Sequence, residues 1–318
     1  MDSEALVQLA LEARSCSQKE LAAHLGVSPT QISKWKKGEH MSFEMEAKLK
    51  SVAKIGAMDP RFVVWSGSLD AAKKWDRLIH LLADYAKEAE ETGYNTYPLE
   101  DDMGLLSWHT FHTLRQMGVQ LPKEFPKELE FEPDIESHSD DLWEAIDQNP
   151  HASLIYSIFK SLNDVYGFYA AYVSELVYDG ELDVFGDVGG EIDSCLLELA
   201  AAKLEEEPAI APNFAQFRRE TMRNYEKWLN VVKTAAFRAG VPLRAELLDM
   251  VYQPAGMLGH KAEAESLGFN KGRLHPDVYM NELLEGMRVI HQVLPAILKK
   301  LGIENEFKLD VSDLRLDS

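Results

Sequence analysis

The chain has 318 residues, 46% hydrophobic and 27% charged, with 33 Lys and Arg against 53 Asp and Glu for a net charge of −20. These are globular proportions for about two domains, and they exclude a wholly disordered chain. Cys16 and Cys195 are the only cysteines, which excludes a cysteine zinc site and a disulfide scaffold and fits a reducing compartment.

Hydrophobic periodicity predicts helices at 4–14, 18–25, 29–37 and 43–54 in the first part of the chain. The segment from Gln18 to Lys37 has the residue types that two short, sharply angled helices require. Ala22 is small where the second helix crosses, and Gly26 suits a turn with positive φ. Leu21, Leu25, Val27, Ile32 and Trp35 supply a small core. Ser17 with Glu20 reads as a capping box; Ser28 caps the next helix, and Pro29 takes its first position. Gly38 is expected to stop that helix.

These residues resemble the lambda-repressor-like (XRE or Cro/C1) helix-turn-helix family over residues 4–56. The resemblance implies a five-helix N-terminal domain whose recognition helix, 29–37, lies in the DNA major groove. Carried over by position, Thr30, Gln31, Ser33 and Lys34 are expected at base edges, and Gln18, Lys19, Lys36 and Lys37 at phosphates. Pro29 departs from the polar residue often found at its position and removes one base contact. A member that keeps the fold for protein contacts alone is the rival reading.

Charge divides along the chain. Residues 1–56 hold eight basic and seven acidic side chains, net +1, and residues 57–318 hold 25 and 46, net −21. The first segment can meet a polyanion, whereas the remainder is repelled by one.

Further helices are expected at 69–92, 100–117, 140–148, 152–178, 190–206, 213–239, 242–252 and 276–300. The GAMDP turn at 56–60 places a boundary near 58. The expected organisation is thus 1–58 for DNA and 59–318 for dimerisation, an effector or a partner, all-α throughout. Proline-rich residues 120–138 read either as an internal linker or as a loop draped over the second domain. Asp179-Gly180 is open to two readings, a short hairpin or a helix stop.

Other constellations point less firmly to chemistry. His109 and His112 are three apart but lack a third ligand for a metal. Asp179 to Gly190 resembles a calcium loop without its glycine and terminal glutamate. The acids from Asp134 to Asp147 fit a helix N-terminus better than a DNA mimic. Tyr156, Phe159, Tyr166, Phe168, Tyr169, Tyr172 and Tyr178 read as core, with a ligand pocket or dimer surface as the alternative. Ala255-Gly256 resembles the cleavage dipeptide of self-cleaving repressors, but no β-rich Ser–Lys protease region follows it. No metalloprotease or P-loop motif is found.

The N-terminal residues lack a basic signal-peptide region, and no apolar stretch is long enough to span a bilayer, so a cytoplasmic location without membrane contact is expected. The sequence therefore predicts a non-enzymatic transcription regulator without a cofactor, most simply a repressor. Its expected partners are double-stranded DNA, a second copy of itself, and a small-molecule, peptide or protein effector at the C-terminal domain. The alternative is an antitoxin-like adaptor whose acidic domain binds a protein.

Overall fold

The computed structural model describes residues 3–131 and 140–303. Among them all regular structure is helical and no strand occurs. Four helices form the N-terminal region: α1 (Ser3–Arg14), α2 (Gln18–Leu25), α3 (Pro29–Trp35) and α4 (Phe43–Ala53). A fifth, α5 (Pro60–Trp65), lies just past the expected boundary, where the DP dipeptide starts a helix. Asp59 accepts from the Arg61 amide at 2.8 Å, and Pro60 takes the first turn. Helix α5 touches α1 on one side and α6 (Leu69–Glu88) and α7 (Leu106–Gln116) on the other. Phe62 and Val63 are buried between them, so apolar packing is continuous from α1 into the body.

The body is organised around α9 (Pro150–Tyr172). Against it pack α6, α8 (Asp140–Gln148), α10 (Ser174–Tyr178), α12 (Leu196–Ala202) and α15 (Ala255–Ser266). Helix α13 (Phe214–Ala239) covers α12, with the short helices α11 (Gly190–Ser194) and α14 (Asp249–Tyr252) beside it. Phe159, Phe168, Tyr169 and Tyr172 of α9 are buried, so most of its aromatic density is core, while Tyr178 is 59% exposed. Asn163 ties a neighbouring loop into this core by donating to the Ala86 carbonyl at 2.6 Å and accepting from Thr96 at 2.9 Å. Such buried partners avoid the cost of an unsatisfied amide, about 1–3 kcal/mol.

Several predicted boundaries are corrected, each for a local reason. Helix 69–92 ends at Glu88, because the Glu90 carboxylate draws Thr92 and the Gly93 amide into a turn. Helix 100–117 begins at Leu106, where Asp101 accepts from the amides of Leu105 and Leu106 at 2.6 and 2.8 Å. Helix 152–178 starts two residues earlier under an Asn149 cap, and Val173 (φ −116°) divides it into α9 and α10.

Helix 190–206 is divided at Cys195 and closed at Ala202, where the Arg218 guanidinium donates to the carbonyls of Ala202 and Leu204. Only 249–252 of the expected 242–252 is helical. Asp179-Gly180 follows the end of α10 with no strand on either side, which removes the hairpin reading. Helix α15 went unread, since Gly256 and Gly259 weaken its propensity.

Residues 120–131 drape over the body. Phe125 meets Trp75 edge-on at 5.0 Å, Leu129 is fully buried, and Glu130 pairs with Lys74 at 2.7 Å. The acidic residues from Asp134 to Ser139 lie outside the described residues, while Asp140 and Asp141 occupy the first turn of α8. The last described helix, α16 (Pro276–Leu301), buries Val278 in its first turn and thereafter packs extensively on no other described helix. No described helix is long and apolar enough to cross a membrane.

Candidate nucleic-acid interface

The turn between α2 and α3 is built from its own side chains. Ser17 accepts from the Glu20 amide at 3.3 Å, and the Glu20 carboxylate accepts from the Ser17 amide at 2.8 Å. This reciprocal cap, worth about 1 kcal/mol, fixes where α2 begins. Gly26 ends it at φ +71°, a conformation that a side chain would strain. Ser28 then accepts from the Gln31 amide at 3.2 Å, so α3 starts only four residues after α2 stops. Leu21, Ala22, Ile32 and Trp35 are buried, which sets the angle between the two helices. Ser3 of α1 braces the far end by donating to the carbonyls of Trp35 and Glu39 at 3.0 and 2.9 Å.

The recognition helix is shorter than expected, ending at Trp35 rather than Lys37. Lys37 and Gly38 donate to the carbonyls of Lys34 and Trp35, three-residue steps that tighten the chain into a turn. Lys36 and Lys37 therefore sit on that turn, exposed and without an ion-pair partner among the described residues.

Thr30, Ser33 and Lys34 are exposed on α3, with Gln31 half-buried beside them. Gln18 and Lys19 begin α2; the Ser33 hydroxyl donates to Gln18 Oε1 at 3.4 Å and to the Pro29 carbonyl at 3.1 Å. Helix α3 packs on α2 and α1, and its outer face is left open. Lys48 and Lys50 are engaged by Glu44 and Glu46 at 2.7 and 3.2 Å, which subtracts them from the basic surface.

Two features escaped the sequence reading. Lys34 Nζ lies 3.4 Å from Glu39, with both side chains about half exposed, so the lysine expected at a base edge shares its charge with an acid. Nothing in the spacing of five residues across a turn signals that pair. The second is a stack joining α5 to α7. Arg61 lies 4.5 Å over Trp108, Trp108 stacks on His112 at 4.9 Å, His112 on Trp65 at 6.3 Å, and Arg115 lies 5.0 Å over Trp65. His112 is thus an aromatic filler between two indoles. Burial, with Arg61 and Arg115 nearby, holds its pKa below the ordinary histidine value. Burial likewise lowers that of His109. No cluster of three metal-ligating side chains occurs among the described residues.

A helix-turn-helix family model matches residues 7–44, from within α1 to the start of α4. No curated protein and no solved structure matches the chain. The N-terminal region is accordingly a helix-turn-helix DNA-binding module of the XRE/Cro-C1-like type.

Proposed function

We propose that the chain is a sequence-specific transcription regulator that binds a palindromic operator as a homodimer and represses by occupying the promoter. The observation that carries the reading is the open outer face of α3, presenting Thr30, Ser33 and Lys34 beside the exposed Lys36 and Lys37. A helix so placed fits the major groove, about 12 Å wide, where side chains can distinguish all four base pairs. Thr30, Gln31, Ser33 and Lys34 read bases in this scheme, and Gln18, Lys19, Lys36 and Lys37 hold phosphates. The −21 body stands away from the duplex, because its carboxylates oppose a polyanion.

The test is footprinting on the chain's own promoter, followed by titration of the protected site. Lys34→Ala and Thr30→Ala are each expected to cost about 1–3 kcal/mol on that site and little on random DNA. Equal losses on both DNAs would reassign these side chains to phosphates. Absence of any protected site would overturn the regulator reading.

A further inference from the structure

Helix α16 spans 26 residues, about 39 Å at 1.5 Å per residue, and along most of that length no other described helix packs extensively against it. Its apolar side chains recur at alternating steps of three and four: Met280, Leu283, Met287, Ile290, Leu294, Ile297 and Leu301. That is the heptad spacing of a helix that faces another helix with the same repeat. Leu284, Val293 and Leu298 widen the seam on its flanks. Of the ten, only Leu294 and Leu298 fall below 42% exposure, and both are half-buried.

The uncovered area decides what the face is for. Ten apolar side chains, on the order of 80 Å² each, amount to about 800 Å². The largest apolar patch on an ordinary monomer is about 300–600 Å². A stable protein interface needs about 800 Å² from each partner, which this helix supplies alone.

From this we infer that α16 is the dimerisation element, pairing antiparallel with α16 of a second copy. The inference rests on the dimeric reading given above and locates its surface. Self-pairing suits the face because a twofold interface must be self-complementary, and one repeated seam meets that condition. No carboxylate lies among the ten, so the seam adds no local repulsion to chains of charge −20, whose longer-range repulsion is screened beyond about 8 Å at physiological salt.

Direction follows from residue type and charge. In parallel coils, Leu at the first seam position with Ile at the second favours three or four strands. That preference does not govern antiparallel pairing, which can stop at two helices. The antiparallel arrangement brings Lys299 and Lys300 of one helix toward the half of the other that carries Glu285, and it opposes the two helix dipoles. Pro295 falls on the outward side of the repeat, where it does not enter the seam.

Sedimentation of the full chain, with the double variant Ile290→Glu/Ile297→Glu and the outward control Gln292→Glu, tests the assignment. At 10 µM the wild type and the control are expected at twice the 35.9 kDa chain mass and the double variant at the monomer mass. The double variant should keep the wild-type unfolding temperature and half-site DNA affinity, and lose at least tenfold on a full palindrome. A monomeric wild type that instead binds lipid vesicles, a trimer or tetramer, or a double variant that stays dimeric would each overturn the inference. So would dissociation of the control. A dimeric double variant leaves the operator reading intact, whereas a dimer that behaves as expected but ignores palindromes sinks the operator reading alone.

Discussion

His112 lies against Trp108 at 4.9 Å between ring centres with 14° between the planes, and Trp65 takes its other face. Trp65 ends α5, which also covers α1, while Trp108 and His112 belong to α7. The DNA-binding module is therefore fastened to the body by an aromatic stack, with an arginine over each outer indole face. Contacts of this kind contribute about 0.5–1.5 kcal/mol each beyond area burial.

The surroundings of the stack favour a neutral His112. Its pKa in the fold lies below the unfolded value, so the unfolded chain takes up a proton that the fold refuses. The resulting stability is complete above about pH 6.5 and is lost as pH falls through the folded value. Urea unfolding of wild type and His112→Phe between pH 7.5 and pH 5 should show the wild type losing ground at the acid end. Parallel profiles would remove His112 as the cause.

His80 titrates in the opposite sense. Its Nε2 lies 3.0 Å from Asp101, and chiefly through that hydrogen bond its pKa is pushed up to about 9. Stability from the charged pair is full below about pH 6.5 and is lost as pH rises through 9. With the imidazole 42% exposed, solvent screening reduces the effect to on the order of 1 kcal/mol. His80→Gln should flatten the wild-type decline between pH 6.5 and pH 9.5, measured by chemical denaturation. A variant that declines as steeply as the wild type would place the titration elsewhere.

Glu39 restrains the interface through its 3.4 Å pair with Lys34. A surface pair of this kind is worth about 0.2–1 kcal/mol, and in the proposed complex its acid would also oppose the phosphates. Glu39→Gln is expected to tighten DNA binding about two- to fivefold at low salt, with the gain shrinking as salt rises. Unchanged or weaker binding in a fluorescence titration would mean that Glu39 helps to hold Lys34 in its productive position.

In the proposed complex, Lys34 at a base edge and Lys19, Lys36 and Lys37 at phosphates bring four positive charges per protomer, enough to release about four counterions. A dimer then has a slope near −7 in log K against log salt, from roughly −0.9 per contact. A fragment ending at 58 would strip α5 from α1, so residues 1–67 are the better isolated module. It should bind weakly, with about half the slope of the full chain. A steeper full-length slope would implicate Arg219 or Arg223 of α13 in gripping the backbone, since Arg218 already caps α12.

The order of α2, turn and α3 was legible because its determinants are local. Ser17 with Glu20, Gly26 at positive φ, and Ser28 with Pro29 each act within three residues of the backbone they direct, so chain order alone reveals them. The helical character of the body was legible for a related reason, since a helix states its apolar face at fixed spacing. What escaped depends on groups distant in sequence. The stop of α12 at Ala202 depends on Arg218, sixteen residues later; the Trp65–His112 contact crosses 47 positions, and no periodicity encodes it. Helix α16 joins the two cases: its apolar stripe can be read from the sequence, but only the packing of α12 and α15 on α9 decides that no other described helix covers it.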